Sequence, residues 1–384
     1  MPAPASDIPD SVSPLTCSAV LTHHWLVRLR GGERVLEACA ELLPDAPIYT
    51  LVHDSTGLTD SPLSRRTIHT SLLQKLPGAS RHYPKLLPLL PWAARRMKLP
   101  PVDLVLCSDA ALAKAMTPDP RSKVVCYCHS PMRYAFEPEI SREYRRTLPL
   151  PLRPLWGPLT GYVRRADWQA AQRVDVFIAN SQHVAERIRR CYGRGSVVIH
   201  PPVDLPPAPV SVPREDFCLC VGYHVAYKRL DLAVEACRRL GRRLVVIGDG
   251  PEVVRLRRRP ASHVQWLGWQ PSAVIAAHYR RAAALLFPGE EDFGIVPVEA
   301  IAHGCPVVVY GVGGATETVL DGQTGVLFEP QTAEALAAAI ERSDSIQFEP
   351  GDMLRQAARF GKPRFLGEMR TLLQSVLEED RRRL

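Results

Sequence analysis

Between His200 and Asp216 the chain reads HPPVDLPPAPVSVPRED, with prolines at 201, 202, 206, 207, 209 and 213. Proline has no amide donor and a fixed φ, so a run this dense cannot lie inside a helix or a central strand. A semi-rigid, extended linker is what it favours. The seam cuts the 384 residues into two nearly equal parts, each the size of an ordinary domain. On both sides, short and nearly continuous apolar runs alternate with amphipathic stretches of helical period. That alternation predicts an α/β chain with two doubly wound, Rossmann-like parallel sheets.

In the second half, Phe217–Val221, Leu244–Ile247, Val264–Leu267, Ala284–Phe287 and Pro306–Val309 read as strands, apolar enough to be covered on both faces. Leu230, Ala233, Val234, Cys237 and Leu240 recur at helical spacing, and Gly241 supplies a stop. In the first half, Val35, Leu36, Cys39, Leu42 and Leu43 form a helical stripe. Val102–Leu106, Val124–Cys128 and Val174–Ala179 are strand-like, and Ser181 is placed to cap a helix running to about Cys191. Phe365, Met369, Leu372, Leu373, Val376 and Leu377 make one apolar face after the second domain's pattern has ended. That helix must bury its stripe, and crossing back to the first domain is one solution. The expected boundaries are a disordered proline-rich tail at 1–16, a first domain at 17–200, a linker at 201–216, a second domain at 217–363 and a C-terminal helix at 364–384. Ligands of such sheets sit beyond the carboxyl ends of the strands, and the cleft between two domains is the default site.

Composition narrows the functional classes. With 46% hydrophobic and 23% charged residues the chain is neither disordered nor fibrous. No apolar run is long enough to span a bilayer. The first twenty residues lack a basic start followed by an apolar stretch, so no secretory leader is expected. Ten cysteines scatter through apolar segments without a paired Cys-x-x-Cys set, which favours buried thiols in a reducing cytoplasm over metal ligation. Residues 1–200 hold 26 Lys and Arg against 17 Asp and Glu, whereas residues 201–384 hold 22 against 23. A basic half beside a neutral one suggests that the first domain faces something anionic. The surplus has no accompanying recognition motif, so nucleic acid is not expected.

One stretch carries chemistry on its pattern alone. In Phe287–Ile301 (FPGEEDFGIVPVEAI) an apolar strand is followed by an acidic loop, then Phe293-Gly294-Ile295, then a helix containing Glu299. Free amides at the helix start, with Gly294 allowing close approach, make a nest for phosphate or hydroxyl groups. Glu291 and Glu299, about 10–15 Å apart across loop and helix, add acceptors suited to sugar or ribose hydroxyls. An acidic loop whose glutamates merely complement the helix dipole explains the same letters equally well. Gly31-Gly32, taken alone, is more often a turn than a phosphate loop. His129, at the end of an apolar strand, is by itself more often a structural hydrogen-bonder.

The ordered set of motifs says more than any one of them. Glu291-x7-Glu299 around Phe293-Gly294 resembles the signature of glycosyltransferase family 4, retaining enzymes of the GT-B fold. Gly31-Gly32-Glu33-Arg34-Val35-Leu36-Glu37 and Pro44-Asp45-Ala46-Pro47-Ile48-Tyr49-Thr50-Leu51 are similar to the start of its WbaZ-like mannosyltransferase branch. So are Tyr127-Cys128-His129-Ser130-Pro131-Met132-Arg133-Tyr134, Ala179-Asn180-Ser181, Pro201-Pro202-Val203-Asp204, Tyr227-Lys228-Arg229-Leu230-Asp231-Leu232 and Gly248-Asp249-Gly250-Pro251. Together they span about residues 20–375 in the right order.

The resemblance implies two domains facing a deep cleft and a metal-independent transfer of a hexose, mannose from GDP-mannose, to a growing glycan or lipid-linked acceptor. It implies no cofactor, the nucleotide-sugar being a co-substrate. Lys228 would neutralise the donor diphosphate, Glu299 would hold the ribose hydroxyls and Glu291 the donor sugar. Amides near Phe293, Gly294 and Ile295 would receive sugar and phosphate. Gly31 and Gly32 would bring the first domain's backbone to the diphosphate, and His129 would lie beside the donor sugar. Gly222 and Tyr223 fall in the donor-binding stretch before Lys228. Tyr223 is a departure, since this branch has an arginine there; losing one charged donor costs about 1.5–3 kcal/mol of phosphate stabilisation unless a neighbouring arginine compensates. Two alternatives therefore stand: a UDP-sugar-dependent transferase, or a catalytically weak subunit that binds nucleotide sugar and scaffolds polysaccharide assembly. The segment Tyr83–Met97 (YPKLLPLLPWAARRM) mixes basic residues with leucines and Trp92. It reads either as a peripheral contact with an anionic membrane, at the inner face, or as plain core. Its prolines at 84, 88 and 91 preclude one continuous helix. The Arg255–Arg259 and Arg381–Arg383 clusters read as solvated faces.

Overall fold

The computed structural model describes residues 13–59, 61–206 and 212–381. Most of the expected tail, Pro207 and Pro209 of the seam, and Arg382 and Arg383 lie outside the described residues. Two compact units are formed, one comprising the described residues up to Pro202 plus the helix Lys362–Arg381, the other Val203–Gly361.

The first unit's strands are β1 (Ala19–His23), β2 (Ile48–Thr50), β3 (Ile68–Thr70), β4 (Leu104–Asp109), β5 (Lys123–Cys128), β6 (Val176–Ala179) and β7 (Val197–Val198). They pair in the order β3-β2-β1-β4-β5-β6-β7, all parallel. The strand order reverses between β1 and β4, where a doubly wound sheet opens a crevice at its carboxyl edge. Register then decides which side chains share that edge. His23, the last residue of β1, lies opposite Ser108 of β4, and Ser108 lies opposite Tyr127 of β5, two residues before His129.

In the second unit, β8 (Glu215–Val221), β9 (Arg243–Ile247), β10 (Val264–Gly268), β11 (Ala282–Phe287), β12 (Val307–Tyr310) and β13 (Gly325–Phe328) pair in the order β10-β9-β8-β11-β12-β13. They too are parallel, and the order reverses between β8 and β11. Leu219, Val245, Val246, Leu285 and Val308 are buried along these strands. The helix Leu230–Arg239 covers them with Leu230, Ala233, Ala236 and Cys237. In the first unit, Ser181 caps the helix Gln182–Tyr192 by accepting the amide of Val184.

The C-terminal helix belongs to the first unit. Phe365, Met369, Leu373 and Val376 are buried in a cluster with Leu21, Leu36, Leu42 and Tyr127. Phe365 meets the Tyr127 ring edge-on at 5.8 Å, and Lys362 pairs with Glu41 at 2.5 Å.

The ends of the expected tail and linker behave differently from the reading of their prolines. Leu15 is buried and its amide donates to Leu42 at 2.8 Å, so the described residues before 17 are not loose tail. Val203 donates to Phe360 at 2.9 Å and is buried in the second core, and β8 already begins at Glu215. An apolar side chain among prolines carries a burial signal that the prolines mask. In Tyr83–Met97 the chain changes from a 3₁₀ helix, Tyr83–Leu89, to an α-helix, Leu90–Arg96. Leu87, Leu90, Ala93 and Ala94 are core, whereas Leu89 and Trp92 are exposed. All ten cysteines are free thiols, and eight of them are buried.

Candidate functional site

In the first unit the helix Gly31–Leu42 starts beside the carboxyl edge of β1. Glu33 reaches back to accept the amide of Arg30 at 3.0 Å, satisfying one orphan donor of the first turn. A Cβ added at Gly32 would lie 3.5 Å from His129 Nε2 and 3.7 Å from His23 Cε1. Glycine therefore keeps open the space in front of two imidazoles.

Those imidazoles are joined through one hydroxyl. Ser108 Oγ lies 3.1 Å from His23 Nδ1 and 2.8 Å from His129 Nε2. His23 Nε2 faces Glu33 Oε1 at 3.6 Å. A hydroxyl has one proton to give, so it donates to one ring and accepts from the other. The carboxylate favours the proton on His23 Nε2. In the neutral ring, His23 Nδ1 then accepts from Ser108, Ser108 accepts from His129 Nε2–H, and the lone pair of His129 falls on Nδ1. Asn180 holds the backbone of this histidine, donating to the His129 carbonyl at 2.9 Å. Burial, then the neighbouring rings of His23 and His129, keep His24 well below the usual histidine range and hence neutral at pH 7.

Beneath this edge lies a buried charge cluster. Lys114 Nζ is 2.6 Å from Asp109 and 2.5 Å from Asp167, and Tyr192 donates to Asp167 at 2.6 Å. Burial opposes every charge here. Even so, Asp109 and Asp167 together keep the Lys114 ammonium well above its usual range, and Lys114 with two backbone amides holds Asp109 below its own. Asp167 is pushed up by burial. The cluster locks the turn after β4. Cys107, Asp109 and Cys126 bring ligand-type atoms within 4.8 Å of one another among the described residues. Asp109 is already engaged, and burial raises the Cys126 thiol well above its usual range, so the geometry suits core better than a metal.

In the second unit β8 runs into Gly222, Tyr223 and His224. His224 Nε2 donates to the Ile247 carbonyl at 3.1 Å, and burial depresses its pKa to about 4. Tyr223 instead is exposed. A short 3₁₀ turn, Ala226–Lys228, follows, and Arg229 takes a left-handed conformation with φ 53° before the helix Leu230–Arg239. That conformation costs a non-glycine residue about 1–2 kcal/mol. Arg229 offsets it by gripping Asp231 with two bonds of 3.1 Å and Gln331 at 3.2 Å.

The sharp turn sends Lys228 across to the end of β11, where Nζ is 2.9 Å from Glu291 Oε1. Both side chains are mostly buried, at 21% and 16% exposure. Gly289 is required here, because a Cβ on it would fall 2.6 Å from Lys228 Cα. Lys228, Glu291, His224, Gly289 and the end of β11 line a pocket of about 20 Å³, room for one water. Gly294, with φ 94°, turns the chain into the helix Ile295–Ala302, while Phe293 is buried. Glu299 stands just over one turn into that helix and accepts from the Tyr279 hydroxyl at 3.2 Å. Lys228 and Glu291 thus share one pocket, and Glu299, bonded to Tyr279, is not among the residues that line it.

Over residues 29–206 the chain matches the family described as Glycosyltransferase Family 4, and over residues 206–359 the one described as Glycosyl transferases group 1. The chain belongs to the family 4 glycosyltransferases. A GDP-mannose-dependent alpha-(1-6)-phosphatidylinositol monomannoside mannosyltransferase of Mycolicibacterium smegmatis is 32% identical over 164 residues, 37% of this chain and 40% of that protein. A glycogen synthase of Mycobacterium tuberculosis is 28% identical over 219 residues, 52% of each. These matches span about half or less of the curated relatives. HepE of Anabaena, solved in complex with UDP, has a TM-score of 0.66 at 18% identity and covers 93% of this chain and 100% of its own. Sucrose-phosphate synthase of Thermosynechococcus elongatus gives 0.69 at 17%, covering 94% and 100%. The shared architecture is the GT-B fold.

For this family 4 chain, sequence reading picked out His129, Lys228, Glu291 and Glu299 but passed over His23, Ser108 and Tyr279. A strand ending Thr-His-His beside Trp25 was the available signal for His23. Nothing local marks Ser108, which only the parallel register brings between two rings.

Proposed function

We propose that this glycosyltransferase moves a hexose, mannose from GDP-mannose, to a glycan or lipid-linked acceptor in cell-surface polysaccharide assembly, retaining the anomeric configuration. The observation that carries the reading is the Lys228–Glu291 ion pair at the carboxyl edge of the second sheet, beside a glycine-led helix start. An ammonium held by one carboxylate is exchangeable. The donor diphosphate competes for Lys228 and frees Glu291 to accept hydroxyl protons of the sugar.

The C–O bond to the diphosphate breaks as positive charge grows on the sugar. Lys228 and the amides around Phe293, Gly294 and Ile295 stabilise the departing charge. The acceptor oxygen attacks from the same face and its proton passes to the leaving phosphate. Glu299 takes the ribose hydroxyls. Within the first unit, Gly31, Gly32 and His129 are the residues assigned to transfer, with His129 held by Ser108 and Asn180. Gly222 and Tyr223 complete the donor-binding set, and the exposed face of Tyr83–Met97, with Trp92, serves as a peripheral contact at the cytoplasmic side of a membrane.

Tyr223 favours a weaker reading in which donor is bound but turned over slowly. Arg229, the nearest arginine in sequence, does not replace the missing charge, being committed to Asp231 and Gln331. A UDP-sugar donor is the second reading, favoured by the UDP held in HepE. Release of GDP or UDP from a panel of donors separates these. The proposal expects GDP release from GDP-mannose, unchanged by EDTA and abolished in Glu291→Ala and His129→Ala. Hydrolysis of UDP-sugars alone would overturn the mannose assignment.

A further inference from the structure

Between the helices Pro138–Thr147 and Trp156–Ala171 of the first unit lies a 3₁₀ segment, Leu150–Leu155, to which the proposed transfer assigns no role. Leu150, Leu152 and Leu155 are 73%, 47% and 61% exposed. Three large aliphatic side chains within six residues form a patch that a freely soluble surface seldom leaves uncovered.

The segment is firmly anchored. Trp156 is buried, donates its indole N–H to Ser141 at 2.9 Å and stacks on Tyr144 at 6.3 Å between ring centres. Arg153 folds back to donate to the carbonyls of Leu148, at 3.1 Å, and Arg146, at 2.9 Å. An arginine spent on the loop's own backbone holds the leucines outward.

Positive charge surrounds them. Arg142, Arg145 and Arg146 are exposed on the preceding helix, and among the described residues none of the three pairs with a carboxylate. Ser141, Arg142, Arg145, Arg153, Trp156 and Thr160 line a pocket of about 260 Å³. A guanidinium-lined pocket suits a phosphate group, and the leucines beside it suit acyl chains. Nucleic acid would engage the arginines but gain little from aliphatic side chains that cannot stack on bases.

We propose that this leucine-tipped, arginine-backed segment docks the first unit onto an anionic phospholipid bilayer, with Leu150, Leu152 and Leu155 entering the interface and the arginine pocket taking a headgroup phosphate. The proposal stands apart from the transfer reading, because it is tested with neither donor nor acceptor. The full chain is floated with vesicles of phosphatidylcholine alone or mixed with phosphatidylglycerol. Wild type should co-float with the mixed vesicles and not with the neutral ones. Arg142→Gln with Arg145→Gln should lower partitioning about 25-fold, fivefold per charge. The triple change Leu150→Ser, Leu152→Ser, Leu155→Ser should lower it by about tenfold or more. Should the triple variant misfold, Leu152→Trp gives a second measurement: brominated lipid should add quenching over wild type. Wild-type protein that stays out of mixed vesicles, variants that float as well as wild type, no added quenching, or retention of single-stranded RNA in place of vesicles would each overturn it.

Discussion

Ser108 has one proton to divide between His23 and His129, and that scarcity makes it the positioning residue of the first unit's edge. Removing it takes from His129 Nε2 the hydroxyl that orients that ring, while the fold keeps its strands. Ser108→Ala should lower kcat about fivefold to tenfold, the worth of one neutral hydrogen bond, and displace the acid limb of the pH–rate profile, with donor KM little changed. A proportional rise in KM with an unshifted profile would make Ser108 merely structural. Residues such as Lys228, Glu291 and His129 were legible because their neighbours in sequence belong to recognisable motifs. Their partners were not. The pairing of Lys228 with Glu291 depends on Arg229 adopting a left-handed turn, which no propensity favours in an arginine.

Among the elements, long apolar strands were readable to within two or three residues, as β5, β8 and β9 show. β2 and β3 are three residues each and too short to show a period. β1 ends in Thr22 and His23, buried polar residues that break its apolar run. The C-terminal helix was legible because an unburied stripe demands a surface. Phe365→Ala should cost the first unit about 3–5 kcal/mol by leaving a cavity against Tyr127, measured by denaturant unfolding. A loss under about 1 kcal/mol, the scale of a surface change, would mean that the helix does not anchor there. At the end of β8, His224 is neutral when folded, with a pKa of about 4 against about 6.5 unfolded. The unfolded chain binds the proton first, so this contribution is complete above pH 6.5 and is lost as pH falls towards 4. Stability should drop by up to about 3 kcal/mol across that window, and His224→Gln should flatten the slope. An identical slope in the variant would assign the effect to another group.

The whole molecule repeats one plan, two parallel sheets whose strand order reverses beside the first strand of each, and the alternation of apolar runs was enough to read it. The charge imbalance and an anionic counterpart were legible too, but not which arginines stand beside exposed leucines. The exposed arginines of the first unit gain a meaning only beside leucines that the fold holds outward. Central to the account is that the second unit's carboxyl edge grips a diphosphate through Lys228. Calorimetric titration of GDP-mannose, GDP and UDP into wild type and Lys228→Ala, in the presence of EDTA, tests this most directly. The account predicts binding of GDP-mannose that weakens about tenfold to a hundredfold in the variant, the worth of one charged contact. Equal affinity in the two proteins, or no binding of any nucleotide, would contradict it.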